Sequence, residues 1–332
     1  MRIFVYEHVT GGGMLGESPS PGLVHEADLM LRTLLRDLGE VPGVSCVTTR
    51  DHRLPPLSGV ECLTAEPGES PQGLYRRGVV HADAVWPTAP ETGGALEQLG
   101  RTVLDGGRRL LGTHPDTVRV TAGKRATAIA LARAGVPVVP TFAFEDDTPA
   151  LTPSAWVLKP DDGAGAEDTV LHMTWDSAIA ALEQRRETHV LQPWVRGTAA
   201  SLSLLCAGGA ARLLACNQQH VRMSDRRFTL SAITVNGLAS RAEDLAPVAA
   251  AVAATFPGLW GYVGVDLILS SLNTTVLEVN PRLTTSWCGL RDALGANPAQ
   301  WVIDLARTGG LPDAIPRSSR VVTLDLEPVR AS

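Results

Sequence analysis

The chain has 332 residues, of which 44% are hydrophobic and 19% charged, and its formal net charge is −6. This length favours two or three domains over one core, and the balance of apolar and charged residues excludes a mainly disordered chain. Because the charge is negative and no basic tract is present, we expect no nucleic-acid partner.

Two features bear on the location of the protein. No apolar run is long and continuous enough to predict a membrane span, so we expect no membrane association. The 5 cysteines are scattered and include no C-x-x-C pair. This pattern favours free thiols and a cytoplasmic protein over a disulfide framework.

The first 110 residues are predicted to form an α/β domain. A strand over 2–8 precedes the glycine-rich loop Gly11 to Gly13, and the spacing of leucines predicts a helix over 25–38. A strand, a glycine-rich loop and a helix in this order are typical of a Rossmann-like domain. The other predictions for this domain are strands over 44–49 and 82–87 and loops over 51–74.

The rest of the chain is predicted to mix helices with many strands. The predicted helices are 117–134, 175–186 and 241–256. The predicted strands are 138–144, 155–159, 190–195, 201–206, 212–219, 229–235, 261–269 and 274–280, the last two forming a hairpin. The domain boundaries that we expect are 1–110, 111–190 for a small subdomain, 191–315 for a larger one, and 316–332 for a tail.

Lysine is rare in this chain. Only Lys124 and Lys159 occur, and every other basic residue apart from histidine is arginine. Lysine carries a compact charge on a flexible stem that can fit between phosphate oxygens, whereas arginine carries a planar fork. The two lysines are therefore either chance survivors of a compositional bias or phosphate ligands.

Lys159 ends an apolar strand and precedes a loop of small residues, Gly163, Ala164, Gly165 and Ala166. Small side chains let backbone N–H groups approach phosphate oxygens closely. The segment is not a Walker A loop, and a plain turn between two strands is the alternative reading.

Polar side chains share one face of the predicted hairpin. Glu278 and Asn280 are two residues apart on one strand, and Asp266 of the other strand can lie beside them. Three oxygen donors on one patch suit a hard cation such as Mg²⁺. Arg282 follows Pro281 and can face an anion at the strand end. A solvated polar strand face is the alternative.

The segment Gln192, Pro193, Trp194 and Val195 leaves a strand at the proline. It can offer backbone groups and apolar walls to an adenine ring, although for Trp194 alone the pattern favours core packing. Gln218, Gln219 and Arg222, at the end of a later strand, are further candidates for contact with substrate or phosphate.

Taken in order, these segments resemble the ATP-grasp superfamily, over about residues 112–310, with residues 1–110 similar to the pre-ATP-grasp domain. The resemblance implies an ATP-grasp fold of the α/β (α+β) class. It implies that Lys124, Lys159, the loop of Gly163, Ala164 and Gly165, and the segment 192–195 bind ATP. It further implies that Asp266, Glu278 and Asn280 hold two Mg²⁺ (or Mn²⁺) ions, and that Arg282 and Lys159 are catalytic. A homodimer is a further expectation.

One position departs from the family pattern. Many members carry Glu where this chain has Gln192, and an acidic residue a few places later often binds the ribose. Here no Asp or Glu lies between Gln192 and Cys206. We therefore expect another segment to recognise the ribose.

Within the superfamily, the run from Phe4 to Gly13 and the segment Asn280 to Ser286 are similar to the tyramine–glutamate ligase family of methanofuran biosynthesis. On the substrate side, this resemblance and the strand after the segment 192–195, which we call the hinge, select Glu7, Gly12, Ser201, Thr284, Thr285 and Ser286. The implied activity is an ATP-dependent ligase that joins glutamate to tyramine or a related amine through an acyl phosphate. The alternatives are another ATP-grasp ligase, forming a D-amino-acid dipeptide or adding glutamate to a cofactor, and a non-catalytic nucleotide-binding module.

Overall fold

The computed structural model describes residues 1–65, 69–147, 149–150, 152–163, 168–270 and 273–326. Its first sheet is parallel and has the strand order β3-β2-β1-β4-β5. The strands are β1 Arg2–Glu7, β2 Ser45–Thr49, β3 Glu61–Leu63, β4 Ala84–Thr88 and β5 Arg109–Leu110. The helices that accompany them are α1 Pro21–Gly39, α2 Pro71–Val80 and α3 Ala95–Asp105.

This strand order creates a switch point beside the first strand. The chain adds β2 and β3 on one side of β1, and then β4 on the other side. The loops that leave β1 and β4 therefore diverge at their carboxyl ends and open a crevice there. Open α/β sheets bind ligands in such crevices.

Two predictions for this part of the chain were wrong in detail. The first helix begins at Pro21 rather than at residue 25, because the Ser20 hydroxyl caps it by accepting from Leu23 N–H at 3.3 Å. Residues 51–74 are not all loop, since they contain β3 and the start of α2. A strand of three residues is too short to show an alternating pattern.

The second sheet is larger and mostly antiparallel. Its order is β13-β12-β9-β10-β11-β7-β6-β8, with β14 paired to β11. The strands are β6 Trp156–Pro160, β7 Val170–His172, β8 His189–Pro193, β9 Thr198–Ala207, β10 Ala210–Ser224, β11 Arg227–Val235, β12 Gly261–Leu269, β13 Thr274–Asn280 and β14 Val322–Asp325. The remaining helices are α4 Pro115–Ala122, α5 Lys124–Arg133, α6 Trp175–Glu183, α7 Ala242–Thr255, α8 Trp287–Leu294 and α9 Pro298–Thr308.

The predicted hairpin is confirmed, and its register brings polar residues face to face. Asp266 of β12 lies opposite Glu278 of β13, and Gly264 lies opposite Asn280. The register shifts after Asp266, so that Leu267 faces Val276 and Leu277 is bulged. The bulge moves Val276 rather than Leu277 into the core, which the alternation of the sequence did not predict.

The single helix predicted over 117–134 is wrong, because the chain forms α4 and α5 with a break at Gly123. Gly123 is extended, at φ −83° and ψ 117°. Asp161 caps the second helix from outside, since its carboxylate accepts from Arg125 N–H at 2.9 Å and its carbonyl accepts from Lys124 N–H at 3.0 Å. Lys124 is therefore the first residue of a helix and not an interior one.

The strand predicted over 138–144 is also wrong. This segment makes isolated bridges, from Val138 to Val276 and from Phe142 to Leu191, and no named strand. Pro137 and Pro140 lack backbone N–H groups, which limits regular pairing on both sides of Val138.

One apolar core joins the two sheets. It contains Ile3 and Leu34 of the first layer together with Leu205, Trp287 and Val302 of the second. This shared core holds the carboxyl end of the first sheet against the segment that follows β13. Within the described residues, no helix combines the length and the apolar character needed to cross a membrane.

Candidate functional site

Lys124 lies between a loop and the hairpin. Its ammonium donates to the carbonyl of Gly163 at 2.6 Å and to that of Asp161 at 3.3 Å. Its Nζ is 3.5 Å from Oε2 of Glu278, and only 7% of the Lys124 side chain is exposed. The lysine therefore links the start of the small-residue loop to the acidic strand.

Lys159 is the second buried ammonium at this site. It lies on β6, with 6% of the residue exposed. Burial lowers the pKa of Lys159 to about 8, although the carboxylates of Glu278 and Asp266 act in the opposite direction. The charges of Glu278, Asp266 and Lys124 therefore all act on this ammonium.

The acidic patch contains Asp266, Glu278 and Asn280, as the hairpin register requires. The Asn280 amide donates to Oδ2 of Asp266 at 3.1 Å. The amide of Gln219, on β10, donates to Oδ1 of Asp266 at 3.0 Å. The carboxylate of Asp266 is therefore oriented from both sides.

The pKa values of the two carboxylates in this patch shift in opposite directions. Burial raises the pKa of Asp266, and the neighbouring charge of Glu278 raises it further. Burial alone would raise the pKa of Glu278, but the ammonium groups of Lys124 and Lys159 outweigh it and lower that pKa. A second negative charge on this buried pair is therefore disfavoured, and a bound cation would offset it.

The donor set at the hairpin fits a divalent cation. Among the described residues, no group of three His, Cys, Asp or Glu side chains is placed to hold a metal. The patch instead offers two carboxylates and one amide, an oxygen set that leaves room for phosphate oxygens in the coordination sphere. Mg²⁺ prefers this combination over an all-protein cage.

Arg282 makes an ion pair with an acid that sequence analysis did not select. Its Nε and Nη2 donate to the two carboxylate oxygens of Glu91, each at 3.0 Å, and both side chains are largely buried. Burial would lower the pKa of Arg282, but the Glu91 carboxylate raises it above its ordinary value. The guanidinium is therefore fixed in orientation beside the acidic patch.

The segment that carries Glu91 also holds the small-residue loop. The Thr92 hydroxyl donates to the carbonyl of Asp162 at 3.2 Å, and Gly93 N–H donates to the Asp162 carboxylate at 2.9 Å. Residues 91–93 thus contact both Arg282 and the start of the loop. Ala164, Gly165 and Ala166 lie outside the described residues.

The four hinge residues lie on the expected strand end but make internal contacts. The amide of Gln192 donates to the Thr141 hydroxyl at 2.8 Å, and Trp194 N–H donates to the carbonyl of Ala155 at 2.8 Å. The Trp194 ring stacks on Phe228 at 5.3 Å. Pro193 ends β8, and Val195 is half-buried just beyond it.

The hinge nevertheless shares a face with Lys159. Gln192 lies opposite Val157 across β6 and β8, and Val157 and Lys159 are two residues apart on β6. Side chains at these positions point to the same side of a sheet. A ligand that contacts Lys159 can therefore extend along this face toward the hinge.

The candidate substrate residues are brought to two neighbouring places. Ser201 is the β9 partner of Asp266, and its hydroxyl accepts from the Asn217 amide at 3.2 Å. The Thr284 hydroxyl bonds the Tyr262 hydroxyl at 2.8 Å, and that of Thr285 donates to Glu26 on α1 at 2.9 Å. Ser286 is buried at the start of α8.

Glu7 and Gly12 belong to the loop after β1. The Glu7 carboxylate accepts from the N–H groups of Val9 and Thr10 and from the Thr10 hydroxyl, at 2.7 to 3.2 Å. Burial raises the pKa of Glu7, while Thr10, Val9 and the charge of Arg282 act in the opposite direction. Glu7 therefore organises its own loop, in which Gly12 has a φ of +99° that favours glycine.

Sequence analysis missed Glu91 and Asp161, and it did not connect Gln219 with Asp266. Glu91 is 191 residues from Arg282, so no local pattern relates them. Asp161 was visible as the acid after Lys159-Pro160, but its capping role depends on a helix break that was not predicted. The sequence did indicate a role for Gln219, because this residue lies on a strand with a polar face.

Two protein-family models match the chain. The ATP-grasp domain matches residues 121–286, which is half of the chain, and the pre ATP-grasp 3 domain matches residues 44–118. The tyramine–L-glutamate ligase of Methanocaldococcus jannaschii is 25% identical over 203 residues, which cover 61% of this chain and 56% of that protein. The chain thus matches little more than half the length of this curated relative.

Solved structures share the fold. A protein of the ATP-grasp superfamily from Archaeoglobus fulgidus has a TM-score of 0.72 at 20% identity, with 98% of this chain and 92% of that chain covered. The L-amino acid ligase from Bacillus licheniformis has a TM-score of 0.68 at 17% identity, with 99% and 80% covered. From the half-chain match and this shared fold, we conclude that the chain belongs to the ATP-grasp family.

Proposed function

We propose that the protein is an ATP-dependent ligase that joins a carboxylate to an amine through an acyl phosphate, with ADP and phosphate as the other products. One observation carries this proposal: the buried Lys124 ammonium lies 3.5 Å from the Glu278 carboxylate, and the charges of Glu278 and Asp266 act on the buried Lys159 ammonium. Phosphoryl transfer requires charge neutralisation and alignment, which this arrangement supplies.

In the first step, the substrate carboxylate attacks the γ-phosphorus of ATP, and ADP leaves. Lys124 and Lys159 offset negative charge on the phosphates. Asp266, Glu278 and Asn280 would hold Mg²⁺ (or Mn²⁺), two ions in our proposal, which supplies further charge compensation to the phosphates. Gln219 keeps Asp266 in the orientation for this role.

In the second step, the amine nitrogen attacks the acyl carbon. A carbon–nitrogen bond forms, the bond from carbon to the phosphate oxygen breaks, and the amine proton leaves with the phosphate. Arg282 meets the charge that develops on the acyl oxygen, and Glu91 fixes the guanidinium in place for it.

For the substrates, we propose glutamate as the acid and tyramine or a related primary amine as the acceptor, in a methanofuran-type cofactor pathway. The partial match to the tyramine–L-glutamate ligase supports this choice. The family's use of ATP and the five free thiols support a cytoplasmic enzyme.

The test is ADP release by the purified protein with ATP, Mg²⁺, and pairs drawn from panels of acids and amines. We expect ADP release to require both an acid and an amine, to be greatest with glutamate, and to be abolished in Lys159→Ala. Wild-type turnover in Lys159→Ala would contradict the proposed site. ATP binding without product from any pair would favour the non-catalytic alternative.

A further inference from the structure

A chain of hydrogen bonds runs through the second sheet to the segment that follows β13. It joins, in order, Asn217 on β10, Ser203 on β9, Tyr262 on β12 and Thr284. The three donor–acceptor distances are 3.1, 3.1 and 2.8 Å. Asn217 and Ser203 are fully buried, Tyr262 is 3% exposed, and Thr284 is half-buried. The chain therefore leads from the interior of the sheet to a residue that solvent reaches.

One backbone group fixes the direction of the first hydrogen bond. The N–H of Asn236 can only donate, and it donates to Oδ1 of Asn217 at 3.0 Å. The amide nitrogen of Asn217 therefore faces Ser203, whose oxygen accepts from it. The second amide hydrogen goes to Oγ of Ser201 at 3.2 Å. Both hydrogens of this amide are thus used, and both serine oxygens are acceptors.

Burial decides how the hydroxyl hydrogens are arranged. If Tyr262 donated to Ser203, the hydrogen of the fully buried Ser203 would have no acceptor among the described residues. A buried donor without a partner is costly, so Ser203 donates to Tyr262. Tyr262 must then donate to Thr284. Burial also raises the pKa of Tyr262 to about 12, so its phenol keeps the proton that it donates.

The hydroxyl hydrogen of Thr284 is the one left over. The oxygen of this hydroxyl accepts from Tyr262, and the part of the chain that the structure describes holds no acceptor for its hydrogen. Hydrogen bonds in a chain polarise one another, so the Thr284 O–H is a stronger donor than an isolated hydroxyl. The structure thus holds a donor in place and leaves it available to a ligand.

Thr284 lies beside the acidic patch. A Cβ added to Gly264 would stand 2.7 Å from Cγ2 of Thr284 and 3.4 Å from Cβ of Asn280, so the threonine packs on this glycine next to Asn280. Gly264 also faces Asn280 across the hairpin. Tyr262 and Arg282 line one small cavity. The donor therefore lies at the junction of the proposed metal site and Arg282.

We infer, on the basis of the proposed ligase function, that the Thr284 hydroxyl is a catalytic hydrogen-bond donor and that Tyr262 and Asn217 are its positioning residues. Its ligand is the acyl oxygen of the acid substrate. When the amine attacks, this oxygen takes the negative charge of the tetrahedral intermediate, and Thr284 donates to it beside Arg282. Thr284 keeps its proton throughout, and the hydrogen bond weakens again when phosphate leaves.

The experiment separates the two steps of the reaction in single turnovers with enzyme in excess over ATP. Rapid-quench samples report ADP, from the first step, and amide, from the second. The substrates are the acid and the amine that release most ADP in the panels above, glutamate and tyramine in our proposal. In Thr284→Val we expect amide formation to slow about a hundredfold, because one oxyanion donor is lost, and ADP formation to stay within about twofold of the wild type.

Two variants control for the change of side chain. Thr284→Ser keeps the hydroxyl and should keep amide formation within about fivefold of the wild type. Thr255→Val removes a hydroxyl that is also half-buried, on α7, where it donates to the Ala251 carbonyl at 2.8 Å. This variant should match the wild type in both rates.

A second substitution tests the positioning role of Tyr262. Tyr262→Phe keeps the ring that packs on Trp287 at 5.2 Å and removes the hydroxyl. We expect it to slow amide formation about tenfold and to have no further effect in Thr284→Val, because both changes act through one hydroxyl. Tyr75→Phe removes a buried phenol hydroxyl that donates to the Leu99 carbonyl at 3.2 Å, and it should leave both rates unchanged.

The possible failures point to different parts of the account. Wild-type amide formation in a folded Thr284→Val would overturn this inference and leave the proposed ligase function intact. Equal slowing of ADP and amide in that variant would do the same, since it indicates a general disturbance of the site. Losses that multiply in the double variant would overturn the positioning role of Tyr262. Wild-type protein that forms neither ADP nor amide with any pair would overturn both the inference and the proposed function.

Discussion

At the scale of single residues, the two lysines differ in what holds them. Lys124 already donates to two backbone carbonyls and contacts Glu278, so its ammonium is fixed before a nucleotide arrives. Lys159 is buried with a lowered pKa of about 8. Its charge therefore changes over an accessible range of pH.

This difference predicts the pH dependence of ATP use. Below its pKa Lys159 is charged and attracts phosphate, and above it the amine is neutral, so kcat/KM for ATP should fall as the pH rises. For a single group with this pKa, the fall between about pH 7 and about pH 9 is about tenfold. The measurement is kcat/KM for ATP across this range at constant ionic strength.

Two comparisons make this pH profile specific to Lys159. In Lys159→Arg the guanidinium stays charged, so the fall should disappear even though the absolute rate is lower. The kcat of the wild type should hold to higher pH, since bound triphosphate raises the pKa of the lysine. A flat kcat/KM profile in the wild type would contradict the assignment of Lys159 to phosphate binding.

At the scale of elements, the break between α4 and α5 places Lys124. A continuous helix would carry the lysine in its interior, whereas the break at Gly123 turns it into the first residue of α5. Asp161 replaces the missing cap through its side chain and its carbonyl. The apolar spacing of residues 117–134 satisfies one long helix equally well, so this break depends on a tertiary contact.

Asp161→Ala is expected to lower both stability and ATP affinity. Loss of a capping carboxylate costs about 1 kcal/mol of unfolding free energy, and the start of α5 then positions Lys124 less firmly, which raises the KM for ATP. Urea unfolding and steady-state kinetics measure the two effects. Asp147→Ala, an exposed acid of the same subdomain, is the control and should match the wild type. A variant at Asp161 with wild-type stability and KM would refute the capping role.

At the scale of the whole molecule, residues 91–93 join the first sheet to the proposed nucleotide site. Glu91 pairs with Arg282, while Thr92 and Gly93 hold Asp162 at the start of the small-residue loop. Removal of one partner of a buried ion pair leaves an uncompensated charge, which costs more than replacement of the whole pair by apolar side chains.

Stability and activity should therefore respond differently to changes in this pair. We expect Glu91→Leu to lower the unfolding free energy by about 3 kcal/mol. The double variant Glu91→Leu with Arg282→Met should recover most of that loss and yet remain inactive, because the proposed mechanism needs the Arg282 charge at the acyl centre. Asp244→Ala, which breaks an exposed pair with Arg241, should leave the denaturant midpoint unchanged. An active double variant would exclude a catalytic role for Arg282.

The sequence predicted those parts of the site that depend on local order. The hairpin of β12 and β13 was predictable because turn residues separate two apolar strands, and its register then juxtaposes Asp266, Glu278 and Asn280. The pre-ATP-grasp and ATP-grasp folds were predictable from motif order. The contacts of Glu91 and Asp161 were not, because each joins elements far apart in the chain and leaves no periodic signal.

The central claim is that Lys124, Lys159, Asp266, Glu278 and Asn280 surround one triphosphate. Calorimetric titration of the wild type and of folded Lys159→Ala with ATP and Mg²⁺ tests it most directly. We expect saturable one-to-one binding by the wild type and affinity at least about tenfold weaker in the variant, which corresponds to the loss of one charge-assisted contact. Equal affinities, or no binding by the wild type at millimolar ATP, would contradict the account.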